Sequence, residues 1–240
     1  MRPMLKICGL MWEEDVALCC RMGVELCGFV TEYPVSVPWN LSRDRCRELL
    51  PLVRGGAKSC VVSGGSADKL RTLALELRPD FLQLHGGESL EVTAALAAEL
   101  ATLGIRVIKT VPYSAEARLR EFGTADPGEC GRRLDEAGAY AALVDARGPD
   151  NAAEPGLQAD PALFLAVRNA ARCLTILGGG VRSETCGALI RRLRPAALDV
   201  MTGVELSPGR KSAELLAALL SAMEEASASP GEEPGPEAEG

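Results

Sequence analysis

Eight short apolar runs, each followed by a segment with helical periodicity, recur along the chain, and this alternation constrains the fold more than any other feature. The runs are Met4–Cys8, Leu26–Val30, Ala57–Val62, Phe81–His85, Arg106–Val111, Ala141–Asp145, Leu174–Leu177 and Ala197–Met201. They are continuous rather than alternating, as strands buried on both faces must be. Strands that alternate with helices over some 225 residues predict a parallel sheet. The 240-residue length suits one (β/α)8 TIM barrel, whose usual size is about 250 residues. An open doubly wound sheet is the competing architecture. It is disfavoured because Gly9 is followed by Leu10 and Met11, so no G-x-G-x-x-G follows the first strand.

Helix signals fill the gaps. Glu13, Glu14 and Asp15 open a helix predicted over Trp12–Met22, where their charges suit the helix dipole. Ser42 is the expected N-cap of a helix from Arg43 to Val53, and Asp160 with Pro161 starts another. Ser183 is the expected cap of Glu184–Leu193. A short helix is predicted over Gly131–Ala137, and Lys211–Glu225 closes the chain as the last helix. Residues 1–226 therefore read as the barrel domain. Residues 227–240 read as a disordered acidic tail, too rich in Glu, Pro and Gly to bury a core.

The apolar fraction of 47% is ample for a core, and with aromatics at only 4% that core is mostly Ala, Leu and Val. Net charge is −7, of which the four tail glutamates contribute −4, and this leaves a mildly acidic body with no footprint for nucleic acid. No run approaches the ~20 apolar residues that span a bilayer, and no signal peptide is evident. Nine cysteines, an odd number with no Cys-x-x-Cys, read as free thiols in a reducing cytoplasm. With a single histidine, a metal site is not expected.

In a closed parallel barrel the strand C-terminal ends converge on one face, and chemistry sits there. Cys8 ends the first run. Lys6, two positions back, points to the same side, and its ammonium favours the thiolate. Asp145 ends the sixth run, and its carboxyl is either buried or exposed at the barrel mouth. Gly178-Gly179-Gly180 and Thr202-Gly203 follow the last two runs, where backbone N–H groups of many barrels bind phosphate. His85 lies at the same mouth, and Arg147 and Arg43 are candidate carboxylate clamps. Each of these also has a structural reading: a small core residue for Cys8, a loop cap for Asp145, tight turns for the glycines, a loop anchor for His85, solvated charges for the arginines. Ser207–Lys211 reads either as added positive charge near that mouth or as the exposed first turn of the last helix.

Taken together and in order, K-I-C-G-L at 6–10, G-F-V at 28–30, Q-L-H-G-G-E at 83–88, V-I-K at 107–109, Asp145, L-G-G-G-V at 177–181 and D-V-M-T-G-V-E-L-S-P-G-R-K at 199–211 resemble the phosphoribosylanthranilate isomerase family. The resemblance runs from Lys6 to about Leu220. It implies a (β/α)8 barrel that needs no cofactor and carries out an Amadori rearrangement of a phosphoribosyl amine in tryptophan biosynthesis. It implies that Cys8 is the general base, Asp145 the general acid, and the glycine turns the 5′-phosphate site; Lys6, His85 and Arg147 are expected to bind substrate from their own places near that mouth.

Two stretches depart from the family. Where it carries Ser-x-Arg or Ser-Pro-Arg, whose Arg contacts the anthranilate carboxylate, this chain has Ser36-Val37-Pro38-Trp39. Where it carries G-G-T-G and then Phe-Asp-Trp, this chain has A-R-G-P-D-N-A-A-E-P-G-L after Asp145. The proton-transfer pair and phosphate turns persist while the aglycone pocket has changed. That pattern fits the family reaction with Arg147 as a replacement clamp, a divergent isomerase of another phosphorylated aminosugar, or a non-catalytic barrel that binds a phosphate ligand.

Overall fold

The computed structural model describes residues 2–146, 148 and 156–228. Arg147 and residues 229–240 lie outside that range, so neither the clamp expected of Arg147 nor the expected disorder of the tail is addressed by it.

Eight parallel strands close into a barrel in the order β1 to β8. They are β1 (Met4–Ile7), β2 (Leu26–Val30), β3 (Lys58–Ser63), β4 (Phe81–Leu84), β5 (Arg106–Val111), β6 (Ala141–Val144), β7 (Leu174–Gly178) and β8 (Ala197–Val200). Closure is made by β1 against β8, with Lys6 opposite Asp199. The chain is a (β/α)8 TIM barrel. Helices α1 (Glu13–Arg21), α2 (Arg43–Leu49), α3 (Ala67–Leu77), α4 (Leu90–Ala101), α5 (Ala115–Phe122), α6 (Pro127–Glu136), α7 (Pro161–Ala170), α8 (Ser183–Leu193) and α9 (Ala213–Ala228) surround it.

The period of two along each strand divides the core. Leu26, Val30, Cys60, Val62, Phe81, Ile108, Leu143 and Ile176 form one cluster inside the barrel. Residues of opposite parity, such as Leu5, Ile7, Val61, Leu82, Val107 and Val144, pack outward under the helices. Lys109 belongs to that outer layer. Its ammonium is buried and paired with Glu121 at 2.7 Å and Glu88 at 3.6 Å. The Glu88 carboxylate in turn accepts from Gly65 N and Gly86 N, which ties together the turns after β3 and β4.

Four predictions of local structure are corrected. Helix α6 starts at Pro127 rather than Gly131, because Asp126 accepts from Glu129 N at 2.6 Å and Pro127 fits the first helical position. The cap of α8 is Arg182 rather than Ser183; its N–H donates to the Thr185 hydroxyl at 3.2 Å. Lys211 does not open the last helix. Glu205–Ser207 (β9) and Arg210–Lys211 (β10) instead form a small antiparallel hairpin, and α9 begins at Ala213 and continues to Ala228. Lys211 is buried rather than exposed. All nine cysteines are free thiols. Among the described residues no helix is long and apolar enough to cross a membrane.

Candidate active site

A cavity of about 360 Å³ opens among the loops that follow the strands, within the usual range of about 300–1,000 Å³ for small-molecule sites. Cys8, His85, Asp145, Gly179, Gly180, Thr202 and Gly203 all line it. Residues separated by more than half the chain are thus brought to one place. Cys8, His85 and Asp145 each stand immediately after a strand, where inward-pointing side chains reach the floor of the mouth.

Two expected site residues stand behind the wall. Lys6 is completely buried and donates to Asp199 Oδ2 at 2.6 Å. Gly178 ends β7 against Asp145: a methyl in place of its hydrogen would lie 3.0 Å from the Asp145 Cγ. Gly28 stands in the same relation to Cys8, since a methyl there would lie 3.1 Å from the Sγ. The Cys8 and Asp145 side chains therefore each occupy space left by a glycine on the neighbouring strand. Gly203 serves the loops in a similar way. A Cβ on it would lie 2.0 Å from the Val181 carbonyl oxygen, so only glycine lets the turns after β7 and β8 meet. Arg43 lies away from the cavity, held on the surface by Glu32 and Glu76.

Electrostatics at the floor are set by burial. Burial pushes the Cys8 thiol above its ordinary range, while Lys6 and Lys211 pull it down, Lys6 more strongly. The sequence-based expectation that Lys6 favours the thiolate has the right sign, but desolvation outweighs it. Burial also raises the Asp199 carboxyl against the opposing pull of Lys6, and Asp145 raises it further. The buried Asp199 Oδ1 has no hydrogen-bond partner among the described residues, and Asp199 lines the cavity.

Sequence reasoning missed Asp199 and Arg182 as parts of this site, and of its two readings of Lys211 the one near the mouth holds. Asp199 carried a legible signal: an acidic residue inside an apolar run, at a position that pairs with another buried charge. Arg182 is the one Lys or Arg on the cavity wall among the described residues, and no local pattern marked it. Lys211 Nζ donates to Cys8 O at 2.7 Å and to Glu205 Oε1 at 2.6 Å, anchoring the end of β1 to the β8 loop. Among the described residues no group of three or more His, Cys, Asp or Glu side chains is placed to hold a metal.

The family model for N-(5′-phosphoribosyl)anthranilate (PRA) isomerase matches residues 5–222. An N-(5′-phosphoribosyl)anthranilate isomerase of Afipia carboxidovorans is 33% identical over 96% of this chain and 93% of its own. One from Bordetella petrii is 34% identical over 94% of this chain and 97% of its own. Among solved structures, a phosphoribosyl anthranilate isomerase in complex with reduced 1-(o-carboxyphenylamino)-1-deoxyribulose 5-phosphate superposes with a TM-score of 0.71. It is 25% identical and covers 93% of this chain and 99% of its own.

Proposed function

This chain belongs to the N-(5′-phosphoribosyl)anthranilate isomerase family, and from that premise we propose that it converts N-(5′-phosphoribosyl)anthranilate to 1-(o-carboxyphenylamino)-1-deoxyribulose 5-phosphate. The observation that carries the reading to this chain's own residues is the meeting of Cys8 and Asp145 on one cavity of small-molecule size.

The Amadori rearrangement needs one group to give a proton and another to remove one. Asp145 protonates the ring oxygen as the C1′–O bond breaks, which leaves a protonated imine between C1′ and the aryl nitrogen. Cys8, as thiolate, takes the proton from C2′. The electron pair of that C–H bond becomes the C1′–C2′ double bond of an enolamine, which then tautomerises to the ketose. Lys6 and Lys211, behind Cys8, stabilise the thiolate. Asp199 presents an acceptor to a sugar hydroxyl through the oxygen that has no partner among the described residues. Gly179, Gly180, Thr202 and Gly203 receive the 5′-phosphate on backbone N–H groups, and Gly178 keeps Asp145 in place by leaving it room. His85 contacts the substrate at the mouth. Arg182 supplies the positive charge that the anionic substrate requires; Arg147, two residues after Asp145 in sequence, is proposed to bind substrate as well. The free thiols, with Cys8 as the reactive one, suit a reducing cytoplasm.

A second reading, an isomerase of a different phosphorylated aminosugar, is favoured by one observation. The loop after β2 offers the cavity Tyr33, Val37 and Trp39 and no guanidinium. Incubation of the purified protein with N-(5′-phosphoribosyl)anthranilate separates the two. The first reading expects the methylene and carbonyl carbon resonances of the ketose to appear in the NMR spectrum; an unchanged spectrum at high enzyme concentration rejects it.

A further inference from the structure

Trp39 lines the cavity at the place where the loop after β2 lacks a cation, and its indole nitrogen is already used. Nε1 donates to Glu205 Oε1 at 2.9 Å. The same carboxylate oxygen accepts from Lys211 Nζ at 2.6 Å and from Gly209 N at 3.1 Å. Lys211 continues to the Cys8 carbonyl at 2.7 Å. A single hydrogen-bonded chain, Trp39–Glu205–Lys211–Cys8, therefore joins one wall of the cavity to the backbone of the catalytic thiol. With its polar atom satisfied inside the protein, the indole has only apolar ring surface left for the cavity.

The loop that carries Trp39 is pinned at both ends. Thr31 Oγ1 donates to Leu41 O at 3.0 Å, and Leu41 N donates to Val30 O at 2.9 Å. Asn40 bonds the Tyr33 backbone twice, accepting from its N–H and donating to its carbonyl. Tyr33 hydroxyl donates to His85 O at 2.9 Å. A wall held this firmly presents a fixed shape, and Val30, Tyr33 and Val37 beside it are also without charge. Such a wall matches a flat aromatic ring and rewards no anion.

We propose that Trp39 is the specificity residue that receives the aryl group of the substrate, and that Glu205 and Lys211 are positioning residues that hold this wall in register with Cys8. This deepens the isomerase reading and rests on it. The substrate's anions are then met elsewhere on the wall, where Arg182 stands.

The chain has two tryptophans, Trp12 and Trp39, so Trp12→Phe leaves Trp39 as the sole emitter. The reduced product analogue, 1-(o-carboxyphenylamino)-1-deoxyribulose 5-phosphate after borohydride treatment, is titrated into this variant and into Trp39→Phe, and turnover of phosphoribosylanthranilate is measured in parallel. Saturable quenching in Trp12→Phe but not in Trp39→Phe is expected. Trp39→Leu is expected to raise KM about 10-fold or more, the scale of one lost aromatic contact, with kcat changed far less. Glu205→Gln is expected to shift the Trp39 emission and raise KM in the same direction. Absence of quenching in Trp12→Phe, or an unchanged KM in Trp39→Leu, overturns the assignment even where turnover is normal. Quenching without turnover by the unsubstituted protein supports the aryl wall and rejects the isomerase reading instead.

Discussion

Gly28 leaves the space that the Cys8 side chain occupies: a methyl on Gly28 would lie 3.1 Å from the thiol sulfur and 3.0 Å from its Cα. β1 and β2 are neighbours in the barrel, so the Cys8 thiol, the proposed base, is placed by a gap in the adjoining strand as well as by its own. Gly28→Ala is expected to lower kcat/KM about 10-fold or more, because small displacements of a reacting group are expensive, while far-UV circular dichroism stays that of the parent. Full activity in a folded Gly28→Ala variant would show that the gap has no catalytic role.

The buried thiol gives a pH dependence with a definite sign. Burial holds the Cys8 pKa above its ordinary value, so at neutral pH most of the free protein carries the thiol and little carries the thiolate. If the thiolate is the base, kcat/KM rises with pH from neutrality into the alkaline range, approaching tenfold per pH unit well below that pKa. A kcat/KM that is flat or falling over the same interval contradicts the assignment of the base.

Arg182 is assigned the charge that the loop after β2 lacks. Arg182→Ala is expected to raise KM about 10-fold, the scale of one charge-assisted contact, with Arg182→Lys intermediate and kcat nearly constant. Steady-state kinetics on the three proteins checks this, and an unchanged KM in Arg182→Ala rejects the assignment.

Lys109 is expected to matter to stability rather than chemistry. Its ammonium offsets two buried carboxylates, and burial already holds the Glu121 carboxyl above its ordinary range. Lys109→Met leaves Glu88 and Glu121 facing each other without their shared ammonium, at about 3–5 kcal/mol by analogy with other broken buried pairs. Urea denaturation measures the loss; a change under about 1 kcal/mol would mean the carboxylates find other partners.

How much of this was legible in the chain depended on scale. The eight strands were, because strands buried on both faces must be apolar throughout. Their ends were also legible to within one residue: Cys8, His85, Asp145 and Met201 were read as the last residues of strands and stand just past them. Helix α6 was read short because Asp126-Pro127, a cap and first position, was passed over. The β9–β10 hairpin left no periodic signal, since its strands are three and two residues long. Lys211 therefore reads either as charge near the mouth or as an exposed first helical turn; its ammonium is held by partners 203 and 6 residues away. Cys8 and Asp145 could be suggested as a proton-transfer pair by strand-end position and family resemblance. The wall around it could not, because Trp39, Glu205 and Arg182 acquire their places only when distant loops meet.

The most direct test is turnover of N-(5′-phosphoribosyl)anthranilate, followed by the loss of its fluorescence, by the unsubstituted protein, Cys8→Ala and Asp145→Ala. The account predicts turnover by the first and a fall of about 10²-fold or more in kcat for each variant, the scale of removing an acid or base. Near-parental rates in both variants would contradict it.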